Sequence, residues 1–141
     1  KNIETDIIIN TSKEKVWSIL SNFNNYKKWN PFIRNSEGEM KLGGKLTNTI
    51  YIDEKKNVFN PTILEVTPNK SFHWLGSLLF KGFFSGRHYF EIKEISENQV
   101  KLIHGEDFTG MISGMVFNKI NESTQAGFVM MNEALKAECE K

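Results

Sequence analysis

The middle of the chain alternates between apolar and polar positions, the period-two pattern of β-strands. A short β-branched run, Ile3–Ile9, predicts one more strand at the start of the sequence. Pro61 lies inside one run and predicts an edge or bulged position, because proline cannot donate a hydrogen bond to the ladder. The other predicted strands are Leu46–Ile52, Val58–Val66, Ser71–Phe80, Ser85–Ile95 and Gln99–Phe108.

Three segments carry helical periodicity instead. Thr11 stands three residues before Glu14, a capping box that opens an amphipathic helix. Phe23–Trp29 predicts a short helical turn, stopped at Asn30–Pro31. A long helix is predicted from about Ile112 to Glu138, where apolar residues recur every three or four positions. Its buried side should contain Val116, Ile120, Met131 and Leu135.

The order of these elements predicts the α+β class. One strand, two short helices, about six antiparallel strands and a long helix form a single domain over residues 1–141. The arrangement that accounts for this order is a curved antiparallel sheet of six to seven strands, closed by the long helix. Because such a sheet is wider than one helix can cover, a cavity is expected between them.

Composition and charge narrow the classes of function. The 141 residues are 39% hydrophobic and 12% aromatic, which suits one continuous core. Lys+Arg 18 against Asp+Glu 17 leaves a net charge of +1, so neither nucleic acid nor an anionic membrane is an expected partner. With a single cysteine, Cys139, and no signal-peptide or membrane-helix pattern, a cytoplasmic location is expected.

Neither a metal nor another cofactor is expected. The three histidines and the late cysteine have no metal-ligand spacing, and the glycines do not form a phosphate-binding loop. Strand alternation also places His73 on the opposite face from His88 and His104, with its side chain toward solvent.

The even-numbered residues of three neighbouring predicted strands agree on one inner face, which is mostly aromatic and aliphatic. Three ionisable side chains interrupt this face: His88, His104 and Glu106. A buried ionisable group must be paired, hydrated or neutral, so these three are the candidates for chemistry.

The register of the last two strands decides which of these side chains meet. If Ile95 lies opposite Gln99, the antiparallel ladder places His88 opposite Glu106 and Phe90 opposite His104. A histidine–carboxylate pair at an apolar cavity can act as a general base, with Glu106 orienting the imidazole of His88. In the plainer interpretation the two side chains satisfy each other and bind nothing.

Other side chains are candidate ligand contacts or core residues. Trp29 and Trp74 are large enough to line a ligand site, although aromatic residues there are more often core, as Trp17 is expected to be. Polar contacts at the cavity mouth are predicted among Arg34, Asn48 and Tyr51, and the adaptable methionines Met111, Met115, Met130 and Met131 are gathered on the long helix. The full set of predicted ligand contacts is Trp29, Trp74, His88, Phe90, His104, Glu106 and Met131.

Several short motifs resemble one superfamily. They are Trp29-Asn30-Pro31-Phe32, Phe72-His73-Trp74, Gly86-Arg87-His88-Tyr89-Phe90, His104–Gly110 and Asn132–Lys136. Together they resemble the START-like (SRPBCC, Bet v 1-like) superfamily over the whole chain, and specifically its polyketide cyclase/dehydrase-like bacterial branch. The resemblance implies a helix-grip fold. It implies less about function, because the superfamily contains cyclases, lipid and hormone binders, stress proteins and co-chaperones.

Three functions remain open. The first is the binding of a small hydrophobic or aromatic molecule between the sheet and the long helix, by a monomer or weak homodimer. The second is a cofactor-independent cyclase/dehydrase-like enzyme in which His88 or Glu106 moves a proton. The third is an interaction module of the stress or co-chaperone type. A cavity of roughly 300 Å³ or more would favour the first two, and a filled core the third.

Overall fold

The structure, a computed structural model, describes residues 1–77, 84–111 and 113–141. The last three residues of the predicted strand Ser71–Phe80, and Ile112 at the predicted helix start, lie outside the described residues. In chain order the elements are β1 (Asn2–Ile9), α1 (Lys13–Leu20), a 3-10 turn (Phe23–Asn25), α2 (Tyr26–Trp29), β2 (Ile33–Glu37), β3 (Thr47–Ile52), β4 (Lys55–Phe59), β5 (Thr62–Thr67), β6 (Ser71–Ser77), β7 (Ser85–Ser96), β8 (Gln99–Thr109) and α3 (Ser113–Cys139).

The strands form two antiparallel sheets. The larger has the order β1-β8-β7-β6-β5 and the smaller the order β2-β3-β4. Helix α3 packs against β1 and β8 of the larger sheet and against β3 of the smaller one. The predicted α+β, helix-grip architecture is confirmed, with eight strands in the described ranges instead of six to seven.

Pro61 separates the two sheets. The predicted strand Val58–Val66 is in fact two strands, because β4 ends before the proline and β5 begins after it. Pro61 has no N–H to donate to a ladder, but its carbonyl accepts a hydrogen bond from the backbone N of Leu46 at 2.9 Å. As a result β4 pairs with β3 in the smaller sheet and β5 with β6 in the larger.

Polar side chains fix the ends of the short helices. Ser12, and not Thr11 as predicted, is the N-cap of α1, where its hydroxyl accepts a hydrogen bond from the backbone N of Lys15. After α2, Oδ1 of Asn30 accepts hydrogen bonds from the backbone N of Phe32 at 2.9 Å and of Ile33 at 2.8 Å. These two bonds turn the chain from the helix into β2.

Helix α3 is continuous through Gly127. Of its predicted buried residues, Met131 and Leu135 are fully buried, while Val116 and Ile120 are partly buried against the core. A Cβ at Gly127 would collide with the ring of Phe32. The glycine therefore lets the helix approach the start of β2 closely.

Candidate functional site

A pocket lies between α3 and both sheets, with a volume of about 60 Å³. Because one water needs about 10–15 Å³ by this measure, the pocket has room for about four waters or a small ring. It is smaller than the roughly 300 Å³ that is typical of a ligand cavity, and closer to a filled core. Its walls are Phe32, Asn48, Ile50, Ile52, Phe59, Pro61, Trp74, Gly76, Gly86, His88, Glu106, Phe108, Ile120 and Thr124.

Two glycines on neighbouring strands shape one wall of the pocket. Gly76 of β6 lies opposite Gly86 of β7. A Cβ at Gly76 would have ordinary contact with Cβ of Pro61 at 3.7 Å, whereas a Cβ at Gly86 would collide with the carboxylate of Glu106. Gly86 therefore makes room for that carboxylate to lie over β7.

Glu106 and His88 face each other in the pocket wall. Nδ1 of His88 is 3.4 Å from Oε1 of Glu106, which is longer than an ordinary N–H···O hydrogen bond but close enough for an ion pair. The His88 side chain is 3% exposed and that of Glu106 is 18% exposed. The carboxylate is thus the more accessible member of the pair.

The predicted register of β7 and β8 is found, although the turn that was expected to set it is different. His88 pairs with Glu106, and Phe90 with His104. Gln99 lies opposite Ser96 instead of Ile95, and an irregularity between Glu94 and Ser96 restores the register further along the strands.

Behind the pair, a chain of buried hydrogen bonds runs from β7 through β8 to α3, and from there to β1. Nε2 of His88 is 2.7 Å from Nε2 of His104, and Nδ1 of His104 is 2.8 Å from Oδ1 of Asn132. Nδ2 of Asn132 donates to Oγ1 of Thr5 at 2.8 Å, and this hydroxyl donates to the backbone carbonyl of His104 at 2.9 Å. We call His88, His104, Asn132 and Thr5 the relay.

Aromatic rings enclose both histidines. The His104 ring is stacked between Phe90 and Phe128, with ring centroids 4.3 Å and 4.1 Å away. The His88 ring is stacked on Trp74 at 4.9 Å. Burial, and then the neighbouring His88, hold the pKa of His104 well below its usual value of 6.5, while the Asn132 bond acts in the opposite direction. His104 is therefore neutral at pH 7.

Two polar side chains of the pocket wall have unused hydrogen-bonding capacity. Nδ2 of Asn48 and Oγ1 of Thr124 are buried, and neither has a hydrogen-bond partner among the residues that the structure describes. The other end of the Asn48 amide is held in place, since its Oδ1 accepts from Ser36 at 2.6 Å. Buried polar atoms of this kind cost free energy until a bound group supplies the missing bond.

The predicted ligand contacts divide into two groups. Trp74, His88 and Glu106 line the pocket. Phe90, His104 and Met131 are fully buried, and the two rings among them flank the pocket wall from behind. Trp29 is half-buried and packs on Tyr26 at 5.2 Å between ring centroids. A direct ligand contact by any of these seven residues stays a prediction.

The remaining candidates are also placed. Asn48 lines the pocket, while the guanidinium of Arg34 lies 3.9 Å over the ring of Tyr51 and pairs with Glu54. Trp17 is partly buried against the core. Three of the four grouped methionines are exposed: Met111, Met115 and Met130.

His73 lies on the outer face of β6, as predicted. Its side chain is half-buried instead of fully exposed to solvent, and its Nδ1 is 3.7 Å from the carboxylate of Glu65.

Several residues of the site were not predicted from the sequence, most of them polar residues that act from other elements. Asn132 and Thr5 complete the relay, Thr124 faces the pocket, and Gly86 accommodates Glu106. One signal was present: glycines inside strands mark places where another group approaches closely. No comparable signal identifies Asn132, because a polar residue on an amphipathic helix is normally assigned to its solvent face.

Three further features bear on the kind of site. No three His, Cys, Asp or Glu side chains are grouped to hold a metal ion in the described ranges. Among the helices of those ranges, none is long and apolar enough to cross a membrane. Burial raises the pKa of the Cys139 thiol to about 12, so this thiol stays protonated and unreactive at pH 7.

Comparison with known proteins places the chain in a family. The family described as "Polyketide cyclase / dehydrase and lipid transport" matches residues 1–141. No curated protein sequence matches the chain. Among solved structures, the Zhui aromatase/cyclase from Streptomyces sp. R1128 has a TM-score of 0.81 at 13% identity, covering 99% of this chain and 93% of that one.

Two other solved structures share the fold. A START superfamily protein from Mycobacterium smegmatis has a TM-score of 0.75 at 18% identity, with 99% of this chain and 97% of that chain covered. Norcoclaurine synthase from Thalictrum flavum, in complex with dopamine and hydroxybenzaldehyde, has a TM-score of 0.75 at 10% identity, with 98% and 85% covered. With the family match over its full length, this chain belongs to the polyketide cyclase/dehydrase and lipid transport family of START-like, helix-grip proteins.

Proposed function

We propose that this protein binds a small, largely apolar molecule in the pocket beneath α3, with the polar group of that molecule at Glu106. One observation carries the proposal: a single pocket combines apolar walls with buried polar atoms, on Asn48 and Thr124, that have no partner among the described residues. A ligand oxygen that accepts from Nδ2 of Asn48 and contacts Glu106 would remove the cost of the first of these atoms, and a further ligand bond to Oγ1 of Thr124 would remove that of the second.

The pocket volume limits the size of the ligand. About 60 Å³ suits a single ring or a short branched chain. A larger ligand requires the first turns of α3 to move outward. These turns are the more loosely packed part of the helix, because the fully buried residues of α3 begin at Thr124.

Family membership supports a ligand-binding or cyclase-like role at this level. The norcoclaurine synthase structure contains dopamine and hydroxybenzaldehyde, which agrees with an aromatic occupant in the present pocket.

Native mass spectrometry of gently purified protein tests the proposal, together with a titration with phenol followed by NMR. We expect a co-purifying small molecule, or saturable shifts of residues in the pocket wall on adding phenol. Gly76→Phe, which fills the pocket from β6, should abolish both signals. Leu75→Phe is the matched control, because Leu75 is the neighbouring residue on the exposed outer face.

Equal binding by both variants would place the ligand elsewhere on the protein. An absence of binding by the unmodified protein would contradict the proposal. It would favour an interaction module, the function that the small pocket volume also favours.

A second candidate function, proton transfer to or from the ligand, is favoured by the position of the Glu106–His88 pair beside free volume. The simplest reaction of this kind is exchange of a proton next to a ring carbonyl. We expect the protein to accelerate deuterium exchange at the α-carbons of cyclohexanone in D₂O, and Glu106→Gln to remove the acceleration. No acceleration above buffer would leave binding as the function.

A further inference from the structure

The relay has one direction of hydrogen bonding, and Thr5 fixes it. The Oγ1 of Thr5 lies 2.9 Å from the carbonyl oxygen of His104, and a carbonyl can only accept. The hydroxyl proton is therefore used in that bond. Thr5 must then accept from Asn132, which orients the amide with Nδ2 toward Thr5 and Oδ1 toward His104.

The orientation of this amide determines which nitrogen of each histidine carries a proton. Oδ1 of Asn132 can only accept, so His104 donates from Nδ1. Because His104 is neutral, its Nε2 then has a lone pair, and the 2.7 Å contact requires His88 to donate from its own Nε2. This leaves Nδ1 of His88 turned toward Glu106.

Neither nitrogen of His88 is free to meet a ligand. Nε2 is bonded to His104 and Nδ1 faces Glu106, and the side chain is 3% exposed. Glu106 is the more exposed group and lines the pocket over Gly86. The contacts thus reverse the roles that the sequence alone suggested, in which Glu106 oriented a catalytic imidazole.

We propose that His104, Asn132 and Thr5 are positioning residues that hold His88 with Nε2 protonated and Nδ1 toward Glu106. In this arrangement Glu106, and not His88, is the group that meets the ligand. This inference rests on the proposed function only in placing a ligand at Glu106. The protonation pattern itself belongs to the protein without a ligand.

The pattern can be measured directly by ¹H–¹⁵N NMR of the imidazole nitrogens at pH 7. The chain has three histidines, so three ring systems are observed, and His73 on the outer face serves as the internal control. We expect His104 to show a protonated Nδ1 and an unprotonated Nε2, and His88 to show a protonated Nε2. A His104 ring protonated at Nε2, or at both nitrogens, would overturn the proposal in the unmodified protein.

A variant tests whether the helix residue exerts this control. Asn132→Leu removes the acceptor for Nδ1 of His104, so the ¹⁵N signals of His104 and of His88 should both shift toward mixed tautomers, while those of His73 stay unchanged. A purely structural Asn132 would lower the melting temperature and leave the His88 signals in place, which would overturn the positioning role.

If Asn132→Leu does not fold, Thr5→Val provides the same readout. It removes the hydroxyl that orients the amide, and the His104 signals should again become mixed. Unchanged His104 signals in a folded Thr5→Val protein would overturn the proposal. An absence of both a co-purifying molecule and phenol binding, with the tautomers as stated, would overturn the proposed function and leave this inference standing.

Discussion

Two buried threonines show how a single hydroxyl can serve either the fold or the pocket. Thr5 of β1 both accepts a hydrogen bond from Asn132 and donates one to the backbone of His104. Thr124 of α3 is equally buried, yet its hydroxyl has no partner among the described residues and lines the pocket. The same functional group therefore stabilises the protein at one site and costs free energy at the other.

Replacing each threonine with the isosteric valine should change stability in opposite directions. Thr124→Val removes an unpartnered hydroxyl and should raise the free energy of unfolding by about 1 kcal/mol. Thr5→Val leaves Nδ2 of Asn132 unpaired and should lower the free energy of unfolding by about 1–3 kcal/mol. Urea denaturation measures both. A Thr124→Val protein less stable than the unmodified one would show that this hydroxyl is already satisfied.

The sequence predicts the pocket-facing pair but not what lies behind it. Strand alternation suffices to place His88, Glu106 and His104 on one face, because the side-chain period of a strand is fixed. The contribution of Asn132 depends on the rotation and height of α3 over the sheet. Those are set by close approaches such as that of Gly127 to Phe32, which a one-dimensional pattern does not contain.

At the scale of elements, the docking of α3 against the start of β2 depends on a glycine of the helix. Gly127 allows the ring of Phe32 to lie against the helix backbone. Phe32 is packed edge-on against Phe128 at 5.5 Å, so this contact also positions the ring that stacks on His104. A change at Gly127 would therefore reach the relay through Phe128.

Two glycine-to-alanine changes in α3 separate docking from helix propensity. Alanine favours a helix interior over glycine by up to about 1 kcal/mol. Among the residues that the structure describes, a Cβ at Gly114 would have only Cε of Lys1 near it, at 4.0 Å, so Gly114→Ala should be neutral or stabilising. Gly127→Ala adds a collision with Phe32 and should instead destabilise by about 1–3 kcal/mol.

Thermal denaturation of the two proteins, with the NMR signals of His104 as a second readout, decides between these effects. A Gly127→Ala protein as stable as Gly114→Ala would mean that Phe32 moves aside without cost and that the helix is not held there.

Some element boundaries can be predicted from the periodicity of the sequence, and others depend on tertiary packing. The long helix and the strands β7 and β8 follow from periodicity, since both are long enough for the period to be clear. The separation of β4 from β5 does not follow in the same way. A proline predicts that a ladder is interrupted, but the interruption becomes a boundary between two sheets because β4 and β5 pair with different strands.

At the scale of the whole molecule, the neutral His104 makes stability depend on pH. In the unfolded chain this imidazole takes up a proton below about pH 6.5. In the folded protein burial holds its pKa well below that value, so the unfolded state binds more protons as the pH falls. The stability from His104 is therefore fully present above pH 6.5 and is lost below it, by up to about 1.4 kcal/mol per pH unit.

Urea denaturation between pH 5.5 and pH 7.5 should show this slope. His104→Phe keeps the aromatic stacking and should make the curve flatter, although the protein is less stable at every pH because Asn132 loses its partner. His73→Gln should flatten it less, since His73 is only half-buried and its pKa is lowered to a smaller extent by burial and Arg87. A stability that rises as the pH falls below 6.5 would contradict a neutral His104.

The hydrogen bond between Asn132 and Thr5 joins residues that are 127 positions apart. During synthesis β1 emerges well before its only neighbour in the described sheet, β8, and before the helix that carries Asn132. A nascent chain can thus contain His88, His104 and Glu106 with the two imidazoles still unoriented. Because His104 is oriented by Asn132 and Thr5, the acid–base properties of the pocket are acquired only once α3 has been made and has docked on the sheet.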